Sequence, residues 1–199
     1  MTDVLAAARG HLRAHFTDLG VTAEPDSAGV TFLGVQPIHV LRFGPDRHGA
    51  VHYVSLGASR HPMGDPAAVA ADPVHGPRAE VVVSLRPVAT TTGLARSVAV
   101  LAAAPAVEGL VLTADALVDL GERLWAGGPF SAFLLGHSDI DELPADPPRD
   151  PVVFVKATPI TATEAAWVRL EGAEALRSAW EQDGVDVLDP GRPAGSPGV

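Results

Sequence analysis

With 199 residues, 47% of them apolar and 19% charged, the chain has enough apolar surface for one domain with its own core, and too much for a disordered coil. Cysteine is absent, which excludes disulfides, thiolate metal sites and a cysteine nucleophile. The net charge of −10 is spread along the chain, which speaks against nucleic acid and anionic membranes as partners and favours encounter with a basic one.

Lys156 is the only lysine in a chain rich in Arg, Ala, Gly, Pro and Val, the composition of a GC-rich coding sequence. The N-terminus, Met1-Thr2-Asp3-Val4, shows no basic region followed by an apolar run. The apolar stretch from Val98 is closed by Glu108 before it reaches a membrane-spanning length. A soluble, cytoplasmic protein is expected.

In chain order, Leu5, Ala8, Leu12, Phe16 and Leu19 recur at helical spacing, predicting an amphipathic helix over 3–19 with Thr2 as cap and Gly20 as stop. Val30 to Phe43 reads as two strands or one bent around Gly34 and Pro37, and Ala50 to Leu56 as the next strand after the Gly44-Pro45-Asp46 turn. Gly64 to Pro77 is a Pro- and Asp-rich loop, and Glu80 to Leu85, with three consecutive valines, is a strand buried on both faces. A helix over 93–104 ends at Pro105, Leu110 to Leu112 forms a short strand, and the Gly127-Gly128 turn leads to a strand over 131–135. A Pro- and Asp-rich loop over 143–151 precedes a strand from Val152 that continues irregularly to Ile160. Thr161-Ala162-Thr163-Glu164 spells a capping box that opens a helix running to Asp183, weakened by about 1 kcal/mol at Gly172. Val185 to Leu188 reads as a last strand.

Strands outnumber helices and do not alternate with them. The order predicts an α+β domain, a mixed and largely antiparallel sheet with helices packed on it, over residues 1–188, with 189–199 a flexible C-terminal tail.

Gly57-Ala58-Ser59-Arg60-His61 follows a strand and nearly spells the nucleophile elbow G-x-S-x-G, but His61 stands where that tight turn needs glycine, and Pro62 follows it. His11 and His15 have the spacing of a zinc helix but lack the glutamate after the first histidine, so they read as solvent-facing. His48 and His52 flank a strand, about 13 Å apart when extended. No phosphate-binding glycine pattern occurs, and Asp139, Asp141 and Glu142 read as a solvated acidic turn. No cofactor or metal is expected.

Two regions carry a resemblance. One is Leu56-Gly57-Ala58-Ser59 with His61-Pro62-Met63 and then Arg78-Ala79-Glu80; the other runs from Phe154 to Thr161, with Glu164 and Gly172 to Leu176. In that order they resemble the suppressor of fused family, here a bacterial member, over about residues 30–190. The resemblance implies protein binding without established catalysis. Its animal namesake restrains a transcription factor, and bacterial members are regarded as immunity proteins against toxins encoded beside them. At 199 residues the chain is expected to lack the extra C-terminal domain of the animal protein.

Arg78 and Glu80 share one strand face and are placed to bond each other or the Ser59-Arg60-His61 turn, either fastening it to the sheet or contacting a partner. The expected function is a non-enzymatic protein-interaction domain, an immunity-like inhibitor of a basic toxin or a regulator of a protein partner, with Ser59, His61, Arg78 and Glu80 as binding residues. Two alternatives stay open: a serine hydrolase using Ser59, and a small-molecule-binding domain using the apolar loop around Trp125 and Phe130.

Overall fold

The computed structural model describes residues 3–64 and 72–195. The proposed cap at Thr2, the middle of the 64–77 loop and the end of the expected tail lie outside the described residues.

Helix α1 (Val4–Asp18) is capped by Asp3, whose carboxylate accepts from the Leu5 amide at 3.0 Å. Strands β1 (Asp26–Phe32) and β2 (Val35–Phe43) form a hairpin, followed by β3 (Val51–Leu56) and β4 (Arg78–Leu85). Helix α2 (Leu94–Glu108) runs one turn beyond the expected stop and carries Pro105 inside it. Strands β5 (Leu117–Asp119), β6 (Phe130–His137) and β7 (Val152–Thr161) complete the sheet.

The sheet order is β1-β2-β3-β4-β7-β6-β5, with β4 and β7 parallel and every other pair antiparallel. The α+β class and the mixed, largely antiparallel sheet hold. The expected strand at Leu110 to Leu112 does not form; Leu112 is buried, and pairing starts at Leu117. Val185 to Leu188 forms no strand either: Val185 and Val187 pack on α4, and among the described residues the segment reaches the end of β4 through the Arg86 amide bonded to the Leu188 carbonyl.

Side chains alternate along each strand, so the sheet buries both faces. On one face Val81, Val83, Phe133, Leu135 and Val155 pack against Leu94, Val98 and Leu101 of α2. On the other, Leu41, Val54, Val82 and Phe154 pack against Leu12 and Phe16 of α1. Farther along that face, Leu134 and Ile160 meet helices α3 (Ala162–Glu171) and α4 (Ala173–Gln182).

The single helix expected over 161–183 is two helices. Gly172 adopts φ +87° between them, a conformation open to glycine and strained for other residues, so the glycine turns the chain instead of weakening one long helix. The capping box at Thr161 and Glu164 is present with both of its bonds. Of the segment expected to be a tail, residues 189–195 are described and pack on the body, with Arg192 2% exposed.

Candidate functional site

The strand β3 and β4 ladder stops pairing after Val54 and Val82. Where the next rung would form, the Ser55 hydroxyl accepts from the Val81 amide at 2.9 Å and donates to the Glu80 carboxylate at 2.5 Å. The chain then turns sharply at Gly57, which has φ +138°; a Cβ there would lie 3.1 Å from the Pro37 carbonyl oxygen. Only glycine fits that corner. A single 3-10 turn, Ala58–Arg60, follows and carries Ser59 inward.

The Glu80 carboxylate lies beneath this turn and is fully buried. Besides Ser55, it accepts from the Gly57 amide at 2.8 Å, the Ser59 amide at 3.0 Å and the Ser59 hydroxyl at 2.6 Å. Its burial is tolerated because neutral donors surround it. Arg78 grips the same turn from the side: its guanidinium donates to the carbonyls of Ser59 at 2.9 Å, Arg60 at 2.8 Å and Val74 at 3.1 Å. Burial and the nearby Arg149 push its pKa down, with Asp150 opposing, yet an arginine stays charged. Among the described residues Arg78 and Glu80 make no ion pair with each other, so of the two arrangements open in the sequence the structure takes the one that fastens the turn.

Ser59, Arg78 and Glu80 are 0%, 2% and 0% exposed, whereas His61 is exposed. The first three therefore lie under the surface, and direct contact with a partner is open to His61 and its neighbours. Beside His61, a hollow of about 210 Å³ runs between the start of β2 (Val35, Ile38), Arg60 and Pro62, and Ala103 and Ala106 of α2. Ser55 and the Gly57 amide went unnoticed in the sequence; a serine inside the apolar run Tyr53 to Leu56 was the one available signal.

The hydrolase alternative meets a geometric obstacle. The Ser59 hydroxyl is buried and committed to Glu80, and none of its hydrogen bonds is to a histidine. Trp125 and Phe130, the centre of the small-molecule alternative, are 3% and 1% exposed and pack at a tilt against each other in the core, away from the surface.

The histidines also differ from their sequence reading. His11 is half-buried, bonded to the Asp141 carbonyl at 2.7 Å and stacked on Phe154. His15 packs edge-on against Phe16. His52 bridges Ser84 at 2.8 Å and Asp46 at 3.0 Å; the neutral ring protonated on Nε2 satisfies both, and burial holds its pKa below the usual imidazole range against the pull of Asp46. Among the described residues no cluster of three or more His, Cys, Asp or Glu could hold a metal ion, and no helix is long and apolar enough to cross a membrane.

A seven-stranded mixed sheet covered by helices on both faces, with a strand-end turn latched by a buried glutamate and arginine, defines the class. The sequence profile of the suppressor of fused protein (SUFU) family matches residues 34–193, and the chain belongs to that family. Among solved structures, a SUFU homologue from Neisseria gonorrhoeae is 19% identical with a TM-score of 0.68, covering 96% of this chain and 96% of that one. Drosophila Suppressor of Fused is 16% identical with a TM-score of 0.66; the match covers 96% of this chain and 50% of that one. A chain of the Sufu–Fu complex is 14% identical with a TM-score of 0.64, covering 96% of this chain and 91% of that one. These likenesses are of fold. No curated protein sequence matches the chain.

Proposed function

We propose that this chain is a non-enzymatic protein-interaction domain that inhibits or regulates a protein partner, with the surface around exposed His61, at the end of the Ser59 turn, as its contact surface. The supporting observation is the placement of the turn. Glu80 and Arg78 hold it rigidly from below, while His61 and Pro62 stand at the surface beside the hollow on α2. A preorganised surface loses little freedom on binding, which favours recognition. Membership of the SUFU family, one of whose solved structures is a complex with Fu, points the same way.

In this reading Ser59, Arg78 and Glu80 fasten the turn from below and do not touch the partner, and His61 does. The acidic chain favours a basic partner, and a toxin encoded beside it is the proposed candidate, which makes the role immunity-like and the setting the bacterial cytoplasm. Affinity capture from the source organism, followed by a growth assay against each neighbouring toxin, tests this. A stoichiometric partner whose toxicity the protein abolishes supports the reading. Absence of protection against every neighbouring toxin ends the immunity role, and a partner that binds His61→Glu as well as wild type ends the proposed surface.

A further inference from the structure

The sheet face under α1 and α4 is not evenly covered. α1 closes over β2, β3 and β4, while α3 and α4 close over β6 and the end of β7, and a cleft remains between them. Two hollows of about 580 Å³ and about 380 Å³ lie in this cleft and meet at Lys156, the only lysine of the chain. Volumes of this size suit a small organic ligand.

Lys156 rises from β7 in the middle of the sheet, between Val82 of β4 and Gly136 of β6. Gly136 keeps the floor open, and the Arg177 guanidinium comes down to within 3.5 Å of where its Cβ would be. Lys156 is half-buried, yet its ammonium has no hydrogen bond or ion pair to any described residue. Thr158, two residues on and lining the same hollow, likewise has a hydroxyl without a partner among the described residues. An ammonium without a counter-charge leaves its donors free, and a carboxylate arriving there would gain charge-assisted bonds.

The acidic groups of the cleft do not fill that role. Asp115 is bonded to Arg177, which also donates to the Leu135 carbonyl at 2.8 Å. Asp46 accepts from the His48 and Ala50 amides and pairs with His52. Asp139 and Glu181 are exposed at the rim and make no ion pair with Lys156. One wall of the larger hollow beside Lys156 is apolar, from Leu134, Trp180, Val185 and Val187, and His137, Arg177 and Glu181 stand on its polar side.

From the unpaired Lys156 ammonium, the Thr158 hydroxyl and this apolar wall, we infer that the cleft binds a small monocarboxylate carrying an apolar body. The carboxylate sits on Lys156 and Thr158, and the apolar body lies against Trp180 and Val187. This site lies on the sheet face opposite α2 and is independent of the partner surface at His61.

The lone lysine makes the test direct. Reductive methylation with ¹³C-formaldehyde labels Lys156 and the terminal amine, so the Lys156 methyl resonance reports on the cleft alone. Titration with 4-phenylbutyrate is expected to shift it saturably, with 4-phenylbutan-1-ol binding about tenfold more weakly or worse. Calorimetry on unlabelled protein should give the same preference, and Lys156→Gln should remove it while leaving the melting temperature unchanged. The inference is overturned by no saturable shift and no heat with 4-phenylbutyrate, octanoate or indole-3-acetate up to ~10 mM, the range in which a ligand of this size binds a fitting site. It is overturned equally by an alcohol that matches the acid, or by a Lys156→Gln protein that keeps the preference.

Discussion

Glu80 and Glu164 are both completely buried, and their surroundings differ in kind. Glu80 is held by neutral donors drawn from one short segment, residues 55–59. Glu164 begins as the reciprocal partner of Thr161 in a capping box, and its oxygens then collect distant donors: the Trp180 indole at 2.9 Å, the Gly195 amide at 2.9 Å and both terminal nitrogens of Arg192 at 2.6 and 3.1 Å. Arg192 also donates to the Pro159 carbonyl and lies over the rings of Phe130 and Trp180. One glutamate shapes a turn locally. The other ties the segment 189–195 to the body with a buried ion pair, an arrangement costly to break from one side.

The sharpest way to separate the two is to remove each. Glu80→Ala leaves four buried donors without an acceptor and should cost about 4 kcal/mol or more of unfolding free energy in urea, as a global loss. Arg192→Ala strands the Glu164 charge and should cost about 3 kcal/mol. Its signature should be local, with hydrogen exchange rising over 189–195 and α4 before the rest of the sheet. A uniform rise across the sheet would show that the C-terminal segment belongs to the main cooperative unit.

Acid should act in two stages. Burial raises the Glu164 pKa, but the bonds from Arg192, Thr161 and Gly195 outweigh it and hold the group below the usual glutamate range. A depressed folded value means its stabilisation is full above about pH 4.3 and is lost as pH falls through the lower folded value. His15 and His52 are also depressed, chiefly by burial, so an earlier loss should begin below about pH 6.5. Melting temperature against pH should fall in these two stages; the first should shrink in His52→Gln and the second in Arg192→Ala. A flat profile between pH 7 and 5 would contradict the histidine contribution.

The comparison also shows what the sequence could reveal. The latch was legible because strand alternation puts Arg78 and Glu80 on one face, next to a turn with its own composition signal. The capping box at Glu164 was legible for the same reason, since its spacing is local. Arg192 was not. It lies among Pro and Gly residues that read as a frayed tail, and a single long-range ion pair overrides that composition. The Lys156 cleft was hidden similarly, because an unpaired lysine in a strand gives no pattern until the strands beside it are known. The split at Gly172 escaped because a mid-helix glycine signals a weak point equally well whether the helix continues or turns.

The central claim is that the Ser59 turn is held from below by buried groups and meets its partner through the exposed side. Unfolding free energy and partner affinity, measured side by side for Ser59→Ala and His61→Glu, test it most directly. The account predicts that Ser59→Ala loses about 1–2 kcal/mol of stability and keeps its affinity, while His61→Glu keeps its stability and loses affinity about tenfold. An exchange of those two results would contradict it, because the serine would then be the contact and the histidine the support.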